Sequence, residues 1–89
     1  MVSSVTFFKA LSDPTRLKLM LQLREQDMLC VCHLTEHLQQ PQPTISRHLS
    51  HLKKAGLVTC ERRGTWMWYA INPDLPQWCQ DIIHRMPQI

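Results

Sequence analysis

The chain has 89 residues and a net charge of +3 at pH 7, with 44% hydrophobic residues and only two glycines. This composition excludes a disordered chain and predicts one small globular domain over residues 1–89. It contains no run of about 18 apolar residues and no basic-then-apolar N-terminus, so we expect a cytoplasmic protein without a membrane span. The motifs H-E-x-x-H and G-x-S-x-G and a phosphate-binding glycine loop are absent from the sequence, which makes an enzyme the least favoured class.

Two helices are predicted in the first quarter of the chain. The segment Val5–Leu11 is more apolar than a solvated helix requires, so we expect part of it to meet another element or a second copy of the chain. Ser12 or Asp13 is placed to cap a second helix with Pro14 at its first position. Arg24–Asp27 is predicted to be a polar linker. Helical spacing predicts the inner side of the second helix at Leu17, Met20, Leu21 and Leu23.

The next two segments predict a helix-turn-helix. Leu29 to Gln39 is predicted to be a short third helix. Gln40–Gly56 is predicted to contain a fourth helix, with Pro43 in its first turn and Gly56 at its end. Two short helices joined by a tight turn, the second polar and basic at its start, are typical of this DNA-binding motif. The predicted inner stripe of the fourth helix is Ile45, His48, Leu49, Leu52 and Ala55.

The other side of the fourth helix is polar and basic. Between Gln40 and Thr65, five Lys and Arg residues stand against one Glu, a local net charge of +4 that a polyanion would meet first. Hydroxyls and an Arg at the start of a helix can contact bases and phosphates in a major groove. An ordinary solvated helix face has the same composition. The predicted DNA-binding residues are Gln42, Thr44, Ser46, Arg47, His51 and Lys54, with Arg62 and Arg63 beyond the helix.

After Gly56 the apolar period changes from 3.6 to 2, which predicts a β-hairpin. Its strands are Leu57–Glu61 and Trp66–Ile71, and Arg62–Thr65 is the predicted turn. Two arginines at a hairpin tip fit a wing that lies along a DNA backbone, and a solvated turn explains them almost as well. A last helix is predicted to start at 72–74. The fold class is therefore mainly α with a β-hairpin wing (α+β), a winged helix-turn-helix.

Cys30 and Cys32 lie at the entrance of the third helix. On an ideal helix, residues two apart point about 200° away from each other, so one ion could bind both thiols only if this turn unwound. A helix N-terminus would favour the thiolate form that soft ions bind. Two small buried hydrophobic residues are the plainer interpretation. Cys60 and Cys79 are predicted to serve packing.

Two other pairs have the spacing of metal ligands. His33 and His37, four residues apart, would share a helix face and could bind an ion together. Asp81 and His84, three apart on the last helix, could form a ligand pair between subunits. Both spacings also occur by chance on exposed helices.

Four blocks of the chain together resemble the ArsR/SmtB family of winged-helix metalloregulators, and in particular its arsenic-responsive repressors. The blocks are Leu11-Ser-Asp-Pro-Thr-Arg-Leu17, Leu29-Cys-Val-Cys-His-Leu34, Gln42-Pro-Thr-Ile-Ser-Arg-His-Leu49 and Ala55-Gly-Leu-Val58. The resemblance implies a homodimer, joined through its first and last helices, that represses its own operon. It also implies that binding of As(III) or Sb(III) to thiolates, here Cys30 and Cys32, releases the operator DNA.

One departure from the family pattern concerns the thiols. Arsenic-responsive members usually carry C-V-C-D-L-C, whereas Cys30 and Cys32 are followed here by His33, Leu34 and Thr35, so the third cysteine is missing. Two thiolates could suffice with an outside thiol or hydroxide, or Cys60 or Cys79 could complete the site. A methylated arsenical would need only two.

Two further inducers remain open for the same fold. Zn, Cd or Ni could bind cysteine together with His33 or His37, because tetrahedral Zn accepts mixed sulfur and nitrogen ligands. Alternatively, oxidation of Cys30 or Cys32 could make a thiol redox switch.

Overall fold

The computed structural model describes residues 2–88. Within these residues the chain forms five helices and a three-stranded antiparallel sheet with the strand order β1–β3–β2. In the order α1, α2, β1, α3, α4, β2, β3, α5, the elements are Ser4–Leu11, Pro14–Glu25, Leu29–Cys30, Val31–Leu38, Gln42–Lys54, Val58–Arg63, Trp66–Ile71 and Gln77–Arg85. The predicted fold class is confirmed, because α3 and α4 form a helix-turn-helix and β2 and β3 form the wing.

Helix α2 starts where the sequence predicts. Asp13 is its N-cap, and the Asp13 Oδ2 atom accepts hydrogen bonds from the backbone N–H groups of Thr15 (2.9 Å) and Arg16 (3.1 Å). Pro14 follows at the first helical position, where its missing N–H leaves no hydrogen bond unmade. The cap therefore satisfies the backbone donors of Thr15 and Arg16, which this helix start would otherwise leave free.

The end of α2 differs from the prediction. Arg24 and Glu25 belong to the helix instead of a linker. Arg24 Nη1 donates to the carbonyl oxygens of Ile83 (2.8 Å) and Met86 (2.7 Å) at the end of α5. Carbonyl groups at a helix end lack partners within the helix, so Arg24 caps α5 and ties it to α2. The sequence offers no local signal for this contact, since the partners are about 60 residues apart.

The apolar core draws on every helix and on the sheet. Leu19 is fully buried although the predicted inner side of α2 omitted it, and Leu17 is only partly buried. Helix α2 packs against α1, α3, α4 and α5, so it buries more of its circumference than one stripe. The largest fully buried side chains are Phe7, Leu19, Met20, Leu23, Leu34, Ile45, Leu49, Leu52, Leu57 and Ile83.

The wing and the last helix shift by a few residues from their predicted bounds. Strand β2 continues to Arg63, and the turn shortens to two residues that begin with Gly64 (φ +64°), a position where glycine is favoured. Residues 72–74 form a turn and not the start of α5. The Asn72 side chain accepts from the N–H of Asp74 and donates to the carbonyl oxygen of Gly56, both at 2.9 Å, which fixes this turn at the base of the wing.

Candidate DNA interface and thiol site

Helix α4 is held by its apolar stripe. Ile45, Leu49 and Leu52 are fully buried against a core to which α2, α3 and β2 contribute. His48 and Ala55, predicted for the same stripe, are half-buried at its edges. Deep burial on one side leaves the opposite side of α4 facing outward as one continuous surface.

The predicted DNA-binding residues of α4 lie on or beside this outward surface. Arg47 and Lys54 lie opposite the buried stripe on the helical wheel, and both are exposed. Gln42 and His51 are exposed, whereas Thr44 and Ser46 are half-buried on the flanks. The structure thus brings the six residues together on one helix; their contact with DNA stays a prediction.

A polar cluster that the sequence did not predict joins α2 to α4. Arg16 Nη1 lies 3.3 Å from His48 Nδ1, and Asp13 Oδ2 lies 3.8 Å from the same nitrogen. The pKa of the Asp13 carboxyl is lowered, chiefly by the hydrogen bond from the Arg16 backbone N–H; the charges of His48 and Arg16 act in the same direction, and burial acts against them. Thr15 and Gln40 add a hydrogen-bonded pair at the start of the turn before α4. The cluster fixes the approach of α2 to the helix-turn-helix.

The two arginines of the wing lie at the end of β2, not in the turn itself, and they have different surroundings. Arg63 Nε donates to Glu61 Oε2 at 3.3 Å, and its guanidinium lies 5.6 Å from the centre of the Trp68 ring. Arg62 points to the other face of the strand, since successive side chains alternate. Both are exposed. The wing therefore presents two cations, of which Arg63 is already oriented by neighbours.

Trp68 connects the wing to the cysteine pair. It is paired with Cys30 across β3 and β1, and its ring packs edge-on against His33 with the ring centres 6.0 Å apart. Arg63 lies against the same ring. One aromatic side chain thus contacts both the residue after Cys32 and a cation of the wing. The sequence did not point to this role, because the pairing joins residues 38 positions apart.

The geometry of the cysteine pair corrects the predicted need for unwinding. Cys30 is not inside a helix: it ends β1, has extended backbone angles (φ −70°, ψ 146°) and serves as the N-cap of α3. Its sulfur accepts from the Cys32 N–H at 3.4 Å and lies 2.6 Å from the Cys32 sulfur. Both are free thiols, Cys30 buried and Cys32 half-buried. The two sulfurs therefore already share one side, and no helical turn has to open for one ion to reach both.

The proton affinity of Cys32 also differs from the expectation. The pKa of Cys32 is raised, first by the hydrogen bond with Cys30, then by burial and by the charge of Cys30. The backbone N–H groups of His33 and Cys32 lower it, as a helix start should, but they do not prevail. An ion that binds Cys32 must therefore displace the proton that this thiol retains.

The other predicted ligands do not gather around this pair. Among residues 2–88, no three His, Cys, Asp or Glu side chains converge in the way a metal ion requires. His33 and His37 are both exposed on α3. Asp81 Oδ1 accepts a hydrogen bond from Gln77 at 2.9 Å on α5. Cys79 is fully buried and Cys60 packs against the core, as predicted.

Comparison with known proteins assigns this arrangement to a family. Residues 13–59, from the cap of α2 into the wing, match the family described as "Bacterial regulatory protein, arsR family". The chain belongs to the arsR family. This match confirms the resemblance found in the sequence and assigns the protein to transcriptional regulators, not to an enzyme class.

Several relatives of this arsR-family protein have names that refer to arsenic resistance. The chain is 45% identical over 71 residues to the arsenic resistance transcriptional regulator ArsR1 of Pseudomonas putida, covering 80% of this chain and 56% of that protein. It is 40% identical over 89 residues to ArsR2 of the same organism, covering 100% and 74%. It is 44% identical over 79 residues to the arsenical resistance operon repressor of Escherichia coli, covering 89% and 68%. The chain thus spans little more than half the length of ArsR1.

Solved structures of regulators share the fold of this arsR-family protein. HlyU from Vibrio cholerae superposes with a TM-score of 0.82 at 25% identity, covering 91% of this chain and 84% of that one. The transcriptional repressor BigR from Xylella fastidiosa gives a TM-score of 0.78 at 25% identity, covering 94% and 87%.

Within residues 2–88, none of the helices combines the length and the apolar character that crossing a membrane demands.

Proposed function

We propose that this arsR-family protein is a homodimeric, cytoplasmic repressor that binds operator DNA and is released when As(III) or Sb(III) binds Cys30 and Cys32. The observation that carries the proposal is the pair of adjacent free thiols at the start of α3, one element before the exposed basic helix α4. The relatives named for arsenic resistance support the choice of inducer.

The DNA-binding part rests on α4 and the wing. Arg47 and Lys54 project from the face opposite the core, and Arg62 and Arg63 extend the same basic character along β2. In the helix-turn-helix mode, the N-terminal residues of α4 contact base edges and the wing contacts phosphates. Thr44, Ser46 and Arg47 therefore select the sequence, and the wing arginines add affinity that is independent of sequence.

The dimer part rests on an aromatic surface formed by α1 and α5. Phe8 and Trp78 are 52% and 38% exposed, with their ring centres 6.2 Å apart. Val5, three residues before Phe8 on the same side of α1, is 65% exposed. Phe7 is buried beneath this surface, and its ring centre lies 5.1 Å from that of Trp78. If a second copy covers this surface, we expect the two α4 helices to contact half-sites about one helical turn of DNA (~34 Å) or a multiple apart. A chain that is monomeric at micromolar concentration and still binds an inverted repeat specifically would contradict the dimer.

Release follows from movement of the Cys32 segment. Cys30 is buried and paired with Trp68, whereas Cys32 is half-buried, so an atom bonded to both sulfurs displaces Cys32 and the first turn of α3. Two contacts pass this displacement on. Leu34 of α3 and Ile45 of α4 are buried in the same core, where the two helices pack together, and His33 contacts Trp68, which lies against Arg63. A coupling of about 1–3 kcal/mol would weaken operator binding about 5–150-fold.

A thiol redox switch is a second candidate that the same geometry supports. Two free sulfurs 2.6 Å apart can also be joined by a two-electron oxidant such as a peroxide, which would draw Cys32 towards Cys30. Sensing of Zn, Cd or Ni through His33 and His37 has less support, because both imidazoles are exposed and no third ligand converges with them in residues 2–88.

The test is release of DNA from the reduced protein against a panel of inducers. Fluorescence anisotropy would follow binding to the DNA upstream of its own gene while arsenite, antimonite, Cd(II), Zn(II) or peroxide is added under nitrogen. We expect release by arsenite and antimonite at concentrations where Zn(II) has no effect. Release by peroxide alone, or by Zn(II) at the lowest concentration, would replace the proposed inducer.

A further inference from the structure

The strand order keeps Cys60 away from the Cys30–Cys32 pair. Cys60 lies on β2, and β3 stands between β2 and β1. Neighbouring strands are about 4.8 Å apart, so roughly 10 Å separates β2 from β1. Cys60 is paired with Tyr69 and Cys30 with Trp68, and consecutive residues of β3 point to opposite faces. Cys60 is thus two strands away and on the other face of the sheet.

Neither Cys79 nor Thr35 supplies a third sulfur to the Cys30–Cys32 pair. Cys79 is fully buried on α5, which packs against α2, and this burial raises its pKa. Thr35 lies three residues after Cys32, on the same side of α3, but it carries a hydroxyl. Its Oγ1 donates to the carbonyl oxygen of Val31 at 2.8 Å. The site therefore offers two soft ligands and no more within residues 2–88.

A two-sulfur site distinguishes forms of trivalent arsenic by the number of bonds they can exchange. Arsenite has three exchangeable oxygens, so one As–O bond remains after two thiols react. A monoorganyl arsenous acid, R–As(OH)2, has one As–C bond that does not exchange and two hydroxyls. It reacts with both thiols to give R–As(S–Cys)2 and two waters. Two As–O bonds break, two As–S bonds form, the thiol protons leave in the water, and arsenic stays trivalent.

An open groove lies next to the residues that flank the cysteine pair. Cys30 is buried and Cys32 is half-buried, so we expect the third bond of a bound arsenic to point to the side of Cys32. Leu29 and His33, the neighbours of the two cysteines, line an open groove together with Gln22 and Gln39. The two cysteines do not line this groove themselves, but we expect a methyl or phenyl group on the bound arsenic to extend towards it and not into the core.

We infer that the preferred ligand of the Cys30–Cys32 pair is a monoorganyl trivalent arsenical, and that inorganic arsenite binds more weakly unless an outside thiol fills its third position. This inference rests on the proposed function, since it names the ligand class of the same site. It explains how a chain with Thr35 in the position of a third thiol can still hold arsenic through two bonds.

The experiment measures binding to the reduced, metal-free chain in a buffer without small thiols. Phenylarsine oxide and arsenite are titrated separately, and protected thiols are counted by alkylation and mass spectrometry. We expect phenylarsine oxide to protect two thiols per chain and to bind roughly tenfold or more tightly than arsenite. Added glutathione should raise the apparent affinity for arsenite and leave that for phenylarsine oxide unchanged or lower.

Two substitutions at one position sharpen the test. Thr35→Cys supplies a third sulfur on the same side of α3 as Cys32, so it should raise arsenite affinity roughly tenfold or more with little effect on phenylarsine oxide. Thr35→Ser keeps the hydroxyl and is the matched control, with no change expected for either probe. Cys60→Ser and Cys79→Ser should leave the binding of both probes as in the parent.

The outcomes separate this inference from the proposed function. Arsenite bound as tightly as phenylarsine oxide without added thiol would overturn the inference, and so would three protected thiols per chain with arsenite; the proposed function would survive both. If neither probe bound, or if both bound equally to the Cys30→Ser, Cys32→Ser double variant, the proposed function would fail as well.

Discussion

Helix α4 and the junction between β1 and α3 carry the two parts of the proposed function, and different forces shape them. Helix α4 is 13 residues long and is fixed by three fully buried side chains of its own apolar stripe. The junction is a two-residue strand followed by the first turn of α3, and it takes its geometry from pairing with β3. Burial makes α4 a rigid surface for contact with DNA. The junction instead depends on a few contacts with residues that are distant in the sequence. A switch is expected in the second kind of region.

The largest effect should come from breaking the apolar anchor of α4. Leu49→Ala removes a fully buried side chain and leaves a cavity, so we expect a loss of about 2–5 kcal/mol in the free energy of unfolding. Urea denaturation followed by circular dichroism would measure it. Ser50→Ala, on the exposed face one residue later, should change stability by less than about 0.5 kcal/mol. Equal effects of the two substitutions would show that the stripe does not anchor α4.

The junction should respond in function and not in stability. The Cys30→Ser, Cys32→Ser double variant keeps the size of both side chains but lacks soft ligands, so it should bind operator DNA like the parent and lose the 5–150-fold weakening by arsenite (about 1–3 kcal/mol). Anisotropy titrations with and without arsenite would measure this. The idea is wrong if the double variant releases DNA at the same arsenite concentration as the parent.

A comparison of α4 with the wing tests which of them determines sequence preference. Arg47→Ala should weaken operator binding by about 1–3 kcal/mol and reduce the preference over unrelated DNA. Thr44→Ala should act in the same direction. Titrations against operator and scrambled duplexes would measure both affinities. If Arg47→Ala weakened binding to the two duplexes equally, α4 would contribute only phosphate contacts.

The wing should instead change affinity for all sequences. Arg62→Ala should weaken both duplexes alike and reduce the slope of log K against log salt by about one phosphate contact. Arg63→Ala should also release Trp68, because the guanidinium lies 5.6 Å from that ring, so the fluorescence of the variant should differ from that of Arg62→Ala. An altered sequence preference in either variant would reverse the roles given to helix and wing.

The smallest effect concerns the contact between α2 and α4. The pKa of Asp13 lies below its usual value of 3.8, so this carboxylate stabilises the fold above pH 3.8 and the contribution is lost as the pH falls through the lowered pKa. Asp13→Ala also removes the cap and should lower stability at pH 7 by about 0.5–2 kcal/mol. Asp13→Asn keeps a capping oxygen and should lose less. Thermal unfolding from pH 2 to pH 7 would compare the stability of the variants. If stability depended on pH identically in Asp13→Asn and in the parent, the charge of the Asp13 carboxylate would not contribute to it.

Much of the fold could be predicted from local pattern because local pattern causes it. The stripe Ile45, Leu49 and Leu52, the Asp13 cap followed by Pro14, and the change of period after Gly56 each depend on neighbours within a few residues. The exposed polar side of α4 followed from the same periodicity. The family followed from four such local blocks, and residues 13–59 confirm it.

The tertiary structure decided what depends on distant partners. Leu29 pairs with Tyr69 and Cys30 with Trp68, which takes Cys30 out of the helix and brings its sulfur beside that of Cys32. Helical periodicity placed these two sulfurs on opposite sides because it has no information about a strand 38 residues away. The hydrogen bond from Arg24 to the end of α5 could not be predicted from local pattern for the same reason. Contacts of long sequence separation form only once the core has brought their partners together, so the geometry of the proposed arsenic site belongs to the fold and not to the segment that supplies its thiols.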